Sequence, residues 1–278
     1  MRLAFVILIV LALLGGGYYL LTPEGRELID RFDVYLTRAD YEARFRAGEL
    51  LPGTPDLDHL DRRLAAIGVK LGAPVYIRIF KLESELELWV EKDGHFQRFA
   101  TYPICLWSGR LGPKLQEGDR QAPEGFYTVA PEQLNPNSRM YRSFSLGYPN
   151  VYDQSYGRTG SFLMVHGGCA SIGCYAVTDL VVDEIWRVVT AALDQGQARF
   201  PVHAFPFRMT DRAVALHRGS KWQGFWSELK TGYDLFEQSH IPPAVSVCNG
   251  HYVFEPGTSA TVSQPVEQRC PPEVAETP

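Results

Sequence analysis

Residues 161–179, SFLMVHGGCASIGCYAVTD, hold the side chains with the clearest chemical potential. His166 stands eight residues before Cys174, and the connection between them is made largely of Gly167, Gly168, Ala170, Ser171 and Gly173. A free thiol has a pKa of about 8.5 and is only a few per cent thiolate at neutral pH, so a cysteine nucleophile needs a base nearby. Phe162 to Val165 reads as a strand ending at His166, and Tyr175 to Val177 resumes β-type sequence before Thr178 or Asp179 caps a helix. Two adjacent strands joined so briefly place the imidazole beside the sulfur. Gly173 allows a sharp turn, after which the amides of 173–175 can face a developing oxyanion; each such donor is worth about 3–4 kcal/mol.

Three other readings fit the same residues. Cys169 and Cys174 can be half-cystines if the chain is exported. The cysteines are Cys105, Cys169, Cys174, Cys248 and Cys270; an odd number leaves at least one thiol unpaired in a monomer. If Cys174 is the free one, the other four allow three pairings, among which Cys248 with Cys270 would tie down the C-terminal tail. His166, Cys169 and Cys174 are mixed metal-ligand types, but no second Cys-x-x-Cys or His pair completes a zinc set, so no metal site is expected. Buried, unreactive cysteine is also common.

The elements around this stretch follow from periodicity. From Pro74 apolar residues alternate: VYIRIF (75–80) and ELELWVEK (85–92) are strands, and the Asp-Gly of KDGH turns the chain into FQRFATYPICLW (96–107). FYTVA (126–130), RSFSLGY (142–148) and SFLMVH (161–166) continue the pattern. The loop at 108–125 is long enough to have a task of its own, such as covering a site. Helical spacing returns at Asp179, followed by a strand at 198–207, helices near 210–218 and 221–238, and a hairpin at 244–254 around Asn249-Gly250. Upstream, Ile29, Phe32, Tyr35 and Leu36 at helical spacing predict a membrane-proximal helix within 23–47, and a second helix is expected over 56–68 with Asp56 as cap. Strands followed by helices define an α+β fold with antiparallel or mixed sheets. The expected organisation is a signal peptide or anchor (1–21), a helical membrane-proximal segment (22–70), a catalytic domain (71–255) and a disordered tail (256–278).

Residues 3–21, after Arg2, carry no charge or proline. The apolar part to Leu14 has the length of a signal-peptide h-region, and with Gly15 to Leu21 it reaches the length of a bilayer span. Cleaved or retained, the segment sends the rest of the chain to the periplasm, with inner-membrane anchoring if it is kept. A net charge of -5 and a pI near 5.8 argue against a nucleic-acid partner. Lys114, Arg120, Arg139, Arg142 and Arg158 nevertheless fall in one central stretch, as solvated loop cations or as partners of an anionic ligand.

HG followed by S-x-G-C resembles the signature of L,D-transpeptidases with the YkuD-type catalytic domain, and QAPEGFYTV (121–129) resembles that family's P-x-G-x-(Y/F) strand start. Gly112–Val129, Asn135–Ser138, Gly157–Ser161, Met164–Gly167, Ser171–Ala176 and Pro206–Asp211 resemble the YafK-like branch in particular. The resemblance implies a mixed-sheet, sandwich-like catalytic domain with Cys174 as nucleophile, His166 as proton donor and acceptor, and Gly173 supplying an oxyanion amide. Ser171, Tyr175, Arg158, Lys114 and Arg110 are the expected substrate-binding residues. It implies no cofactor and peptidoglycan as the partner, attacked at a stem-peptide meso-diaminopimelate, with hydrolysis of a diaminopimelate–lysine bond releasing outer-membrane lipoprotein. Ile172 stands where the broader family has His, Ala176 where it has Arg, and the His-to-Cys spacing is shorter. These departures favour hydrolysis over transfer. The alternatives are a transpeptidase that forms cross-links or attaches lipoprotein, and a non-catalytic peptidoglycan-binding module.

Overall fold

The computed structural model describes residue 19 and residues 22–270. The expected signal or anchor therefore lies almost wholly outside the described residues, as do residues 271–278. Among the described residues no helix is long and apolar enough to cross a membrane.

Helix α1 (Pro23–Arg46) starts where the sequence changes from apolar to charged. Thr22 caps it by accepting from the Gly25 N–H at 3.1 Å, and proline occupies the first turn, where its missing N–H costs nothing. The helix is as expected, but the face it packs is different: Phe32, Tyr35 and Leu36 are exposed, while Asp30 and Val34 are buried. Polar partners choose the docking face, since Asp30 Oδ2 pairs with His217 Nε2 at 2.9 Å and Arg38 lies over the Trp107 ring. Helix α2 (Leu60–Ala66) begins four residues later than expected. Asp56 instead accepts from the Asp58 N–H at 3.0 Å in a local turn, and His59 enters the helix in the left-handed region.

Strands β1 (Val75–Phe80), β2 (Glu85–Lys92), β3 (His95–Pro103), β4 (Leu106–Trp107) and β5 (Gly125–Val129) come next. They are followed by β6 (Leu134–Asn135), β7 (Ser143–Ser145), helix α3 (Val151–Ser155), β8 (Met164–His166) and β9 (Tyr175–Ala176). Helix α4 (Asp179–Asp194), β10 (Phe200–Phe205), α5 (Asp211–Leu216), α6 (Gln223–Ser239), β11 (Ala244–Cys248), β12 (His251–Glu255) and β13 (Glu267–Gln268) complete the order. One five-stranded sheet runs β3-β2-β1-β10-β5, a second runs β4-β9-β8-β7-β6, and β12-β11-β13 form a small third sheet. Pairs β1–β10, β8–β9 and β11–β13 are parallel and the rest antiparallel, so the fold is α+β with mixed sheets, as the sequence implied.

Strand β1 is buried on both faces, which overrides the simple alternation read from its sequence. Ile77 and Ile79 join Val165, Tyr175 and Trp107 of the second sheet and Val181, Ile185 and Val188 of α4 in the largest apolar cluster. Phe80 instead packs with Phe126, Phe205 and the α6 residues Trp226, Leu229 and Tyr233. Arg78, buried on that same strand, is satisfied by Glu87 at 2.8 Å and Glu237 at 2.5 Å.

Residues 256–270 depart from the expected disorder. Strand β13 pairs with β11, Val262 is buried, and Cys270 is bonded to Cys248. The covalent link holds to the body a segment whose composition alone lacks the apolar residues to stay there.

Candidate active site

Strands β8 and β9 pair in parallel with Val165 opposite Tyr175 and His166 opposite Ala176. Paired residues share a face and side chains alternate along a strand, so Val165 and Tyr175 point into the core. By the same alternation His166, the last residue of β8, and Cys174, the residue just before β9, lie on the other face. The register thus puts on one face the two residues that the sequence singled out.

Cysteine pairing leaves the thiol free. Cys105 is bonded to Cys169 and Cys248 to Cys270, and Cys174 is the free cysteine. The first bond staples the His166–Cys174 connection to the junction of β3 and β4, where Leu51 and Tyr41 pack against it. Asp179, at the start of α4, also holds this connection by accepting from the Gly168 N–H at 2.8 Å. Sequence reasoning saw Asp179 only as a helix start; its second contact depends on how the loop folds back.

His166 is buried, and its Nδ1 lies 2.5 Å from the Gly167 carbonyl. A carbonyl only accepts, so Nδ1 carries the proton and Nε2 keeps its lone pair. Desolvation holds the imidazole below its ordinary pKa, with the Gly167 bond opposing, so the ring is a neutral base at neutral pH. Desolvation likewise pushes the Cys174 thiol above its ordinary pKa, against a backbone hydrogen bond at Met164 and the positive field of Lys114. The thiol donates to the Phe162 carbonyl at 3.4 Å. The resting pair is therefore neutral imidazole and thiol, not the ion pair of a pre-ionised cysteine.

Gly173 has φ +141°, a conformation that side chains resist, and a Cβ there would meet Leu163 Cδ1 at 3.1 Å. Its N–H, expected to face an oxyanion, is donated to Ser171 Oγ at 3.2 Å. The Ser171 hydroxyl in turn donates to the Cys174 carbonyl at 2.7 Å. Ser171 thus braces the turn and has little left for a substrate. Among the described residues the Cys174 N–H has no acceptor, and it is the amide available for an oxyanion.

The remaining residues expected to bind substrate have other partners in the structure. Tyr175 is fully buried on the core face and donates to the Pro123 carbonyl. Arg158 is buried in an ion pair with Asp153 at 2.8 Å, with its guanidinium over Tyr152, Tyr156 and Phe225. Lys114 is also buried and donates to Asp119 at 2.5 Å and to the Gln116 carbonyl at 2.9 Å, although its field reaches the thiol. Arg110 is exposed and pairs with Glu27 at 3.3 Å in a cleft whose lining excludes Cys174 and His166. Sequence showed charge at these positions but not the carboxylates that neutralise it. Phe162 and Ile172, each 80% exposed, flank the cysteine as apolar surface. Among the described residues no group of three or more His, Cys, Asp or Glu is arranged to hold a metal ion.

No protein-family model matches the chain. A protein of Escherichia coli (strain K12) named “Putative L,D-transpeptidase YafK” is 49% identical over 195 residues, covering 70% of this chain and 79% of that protein. The chain belongs to the L,D-transpeptidase family. The protein of the same name from Escherichia coli O157:H7 matches equally, at 49% identity over the same length. Among solved structures, the helical cell shape determining protein Pgp2 (K307A mutant) of Campylobacter jejuni aligns at a TM-score of 0.40 and 20% identity, over 66% of each chain. Bd1075 of Bdellovibrio bacteriovorus aligns at 0.36 and 16% identity, over 62% of this chain and 76% of that one.

Proposed function

We propose that this chain is a cell-envelope cysteine enzyme acting at the meso-diaminopimelate residue of peptidoglycan stem peptides. In this reading it hydrolyses the diaminopimelate–lysine amide that ties outer-membrane lipoprotein to the wall. The observation that supports this most is the β8–β9 register, which sets a free thiol and a neutral imidazole on one face.

Cys174 Sγ attacks the diaminopimelate carbonyl carbon while His166 Nε2 takes the thiol proton. Because burial holds both groups neutral at rest, proton transfer and attack belong to one step, and the cost of separating charge falls on the transition state. The Cys174 N–H donates to the oxyanion, supported by the Ser171 brace on the turn. Collapse breaks the C–N bond, the lysine amine leaves with the proton from His166, and a thioester remains. Water, deprotonated by His166, then attacks the thioester, releasing the carboxylate and restoring the thiol.

Ala176, buried opposite His166, and exposed Ile172 offer no cation or imidazole to hold an amine acceptor, which favours water. The name of the Escherichia coli relatives favours the second reading, transfer to an amine with cross-link or lipoprotein attachment. Two disulfides and the apolar N-terminal segment support a periplasmic setting, with that segment as signal or anchor.

Wild type and Cys174→Ala are given lipoprotein-linked and tetrapeptide muropeptides, and the products are read by mass spectrometry. Amide release without cross-links is the expected result. Cross-linked dimers would replace hydrolysis with transfer, the same release by Cys174→Ala would overturn the thioester mechanism, and no product from wild type would favour a non-catalytic wall-binding module. A reporter fused after residue 22 that is active only in the cytoplasm would refute the periplasmic setting.

A further inference from the structure

Lys81 directly follows β1, at the end of the first sheet, and is fully buried. A buried ammonium is costly unless it is paired and fully hydrogen-bonded. Its Nζ donates to the Glu124 carboxylate at 2.9 Å and to the carbonyls of Gly112 and Ala122, each at 3.0 Å. Those three acceptors use all of its protons. The Glu124 side chain is likewise buried, and its Oε1 also accepts from the Gly112 N–H at 2.7 Å. Its Oε2 accepts from the Trp226 indole at 2.9 Å. The pair ties Gly112, Ala122 and Glu124 to one point and closes the base of the loop at 108–125.

That loop is also the seat of the cysteine turn. Ser108 Oγ lies 3.3 Å from Ser171 Oγ, and the Ser108 carbonyl accepts from the Ala122 N–H at 2.9 Å. The Gln121 carbonyl lies 3.7 Å from the position a Gly173 Cβ would take. The Tyr175 hydroxyl donates to the Pro123 carbonyl. Residues 171, 173 and 175 thus rest on the loop one after another, and the last two are the neighbours of Cys174 on either side. Lys114, whose field reaches the thiol, belongs to the same loop. An oxyanion amide acts only where the charge will develop, and a displacement of about 1 Å can cost about a hundredfold in rate.

We propose that Lys81 is a positioning residue for Cys174: through Glu124 it pins residues 121–124, which hold the 171–175 turn and so aim the Cys174 N–H and Sγ. It acts through the loop and does not touch the reacting atoms. The proposal rests on Cys174 being the nucleophile, but not on which amide it cleaves. A buried ion pair adds little net stability over apolar side chains of similar size, so stability alone does not account for one placed under this turn.

The test compares acylation with alkylation of Cys174 in the full chain, each read at that residue by mass spectrometry. With p-nitrophenyl acetate the thiol S–C bond forms, p-nitrophenolate leaves, and His166 takes the thiol proton. That reaction uses the oxyanion amide, whereas iodoacetamide needs only an accessible, ionisable sulfur. Lys81→Met alone would strand Glu124, so Lys81→Met is combined with Glu124→Gln. In the folded double variant acylation is expected to fall about tenfold or more, while alkylation stays within about threefold of wild type. Tyr175→Phe, which removes only the hydroxyl on Pro123, is expected to show a smaller loss of the same selective kind. Arg78→Met, which breaks a different buried ion pair, should lower stability and leave the ratio of the two rates unchanged.

An unchanged ratio in Tyr175→Phe, rates that fall together in the double variant, or an equal fall of the ratio in Arg78→Met would each overturn the proposal. Because Tyr175→Phe keeps the ion pair, a double variant that fails to fold cannot shelter it. An unchanged ratio leaves the nucleophile reading intact, whereas a wild type that is alkylated but never acylated would overturn both.

Discussion

Replacing Cys105 and Cys169 together by alanine removes the covalent link that closes a loop of 64 residues around the candidate active site. In the chain-entropy description, opening a loop of that length in the unfolded state costs about 4 kcal/mol of stability. The Cys248–Cys270 bond, with a separation of 22, sets the scale for comparison at about 3 kcal/mol. Both cysteines of the first pair are buried with Leu51 and Tyr41, so alanine also leaves a small void and the loss should not fall below the entropic figure. Urea unfolding followed by tryptophan fluorescence, extrapolated linearly for wild type and the two double variants, measures both losses. Because Cys169 lies between His166 and Cys174, the first variant should also lower the acylation rate of Cys174 under conditions where it remains folded. The second should leave that rate nearly unchanged. A loss below about 1 kcal/mol at unchanged m-value, or an unaltered acylation rate, would refute the view that this bond holds the His–Cys connection in place.

Three further outcomes are expected. The rate of Cys174 alkylation should rise with pH and inflect above the ordinary thiol value, because burial raises that group, while activity should persist somewhat below pH 6.5, because His166 stays neutral there; an alkylation inflection between about 3.5 and 7.5 would indicate a pre-ionised cysteine instead. Gly173→Ala forces a side chain into φ +141° and against Leu163, so activity should drop sharply with a stability cost of about 1–3 kcal/mol in thermal unfolding; wild-type turnover would disprove the need for that turn. Arg158→Ala strands buried Asp153 and should cost about 3 kcal/mol in stability while leaving KM of the folded enzyme unchanged; a raised KM without loss of stability would return Arg158 to substrate binding.

Sequence by itself determined the elements whose signals are local. Period-two alternation, the Asp-Gly and Asn-Gly turns and the helix start at Thr178 or Asp179 placed most strands and helices, because each depends on neighbours a few residues away. The same locality made His166 and Cys174 legible: strand, glycine-rich connection and strand lie within one short stretch. Tertiary structure alone decided which residues are free to act. Whether Lys114 and Arg158 can reach a substrate depends on Asp119 and Asp153, and whether Cys174 is a thiol depends on Cys105 meeting Cys169 across 64 residues. It also decided that α1 docks by Asp30 and Arg38, not by its apolar stripe, since the partners His217 and Trp107 are distant in the chain. Periodicity reports which face a helix can bury, whereas a buried polar contact is fixed by both of its ends, and only folding brings those ends together.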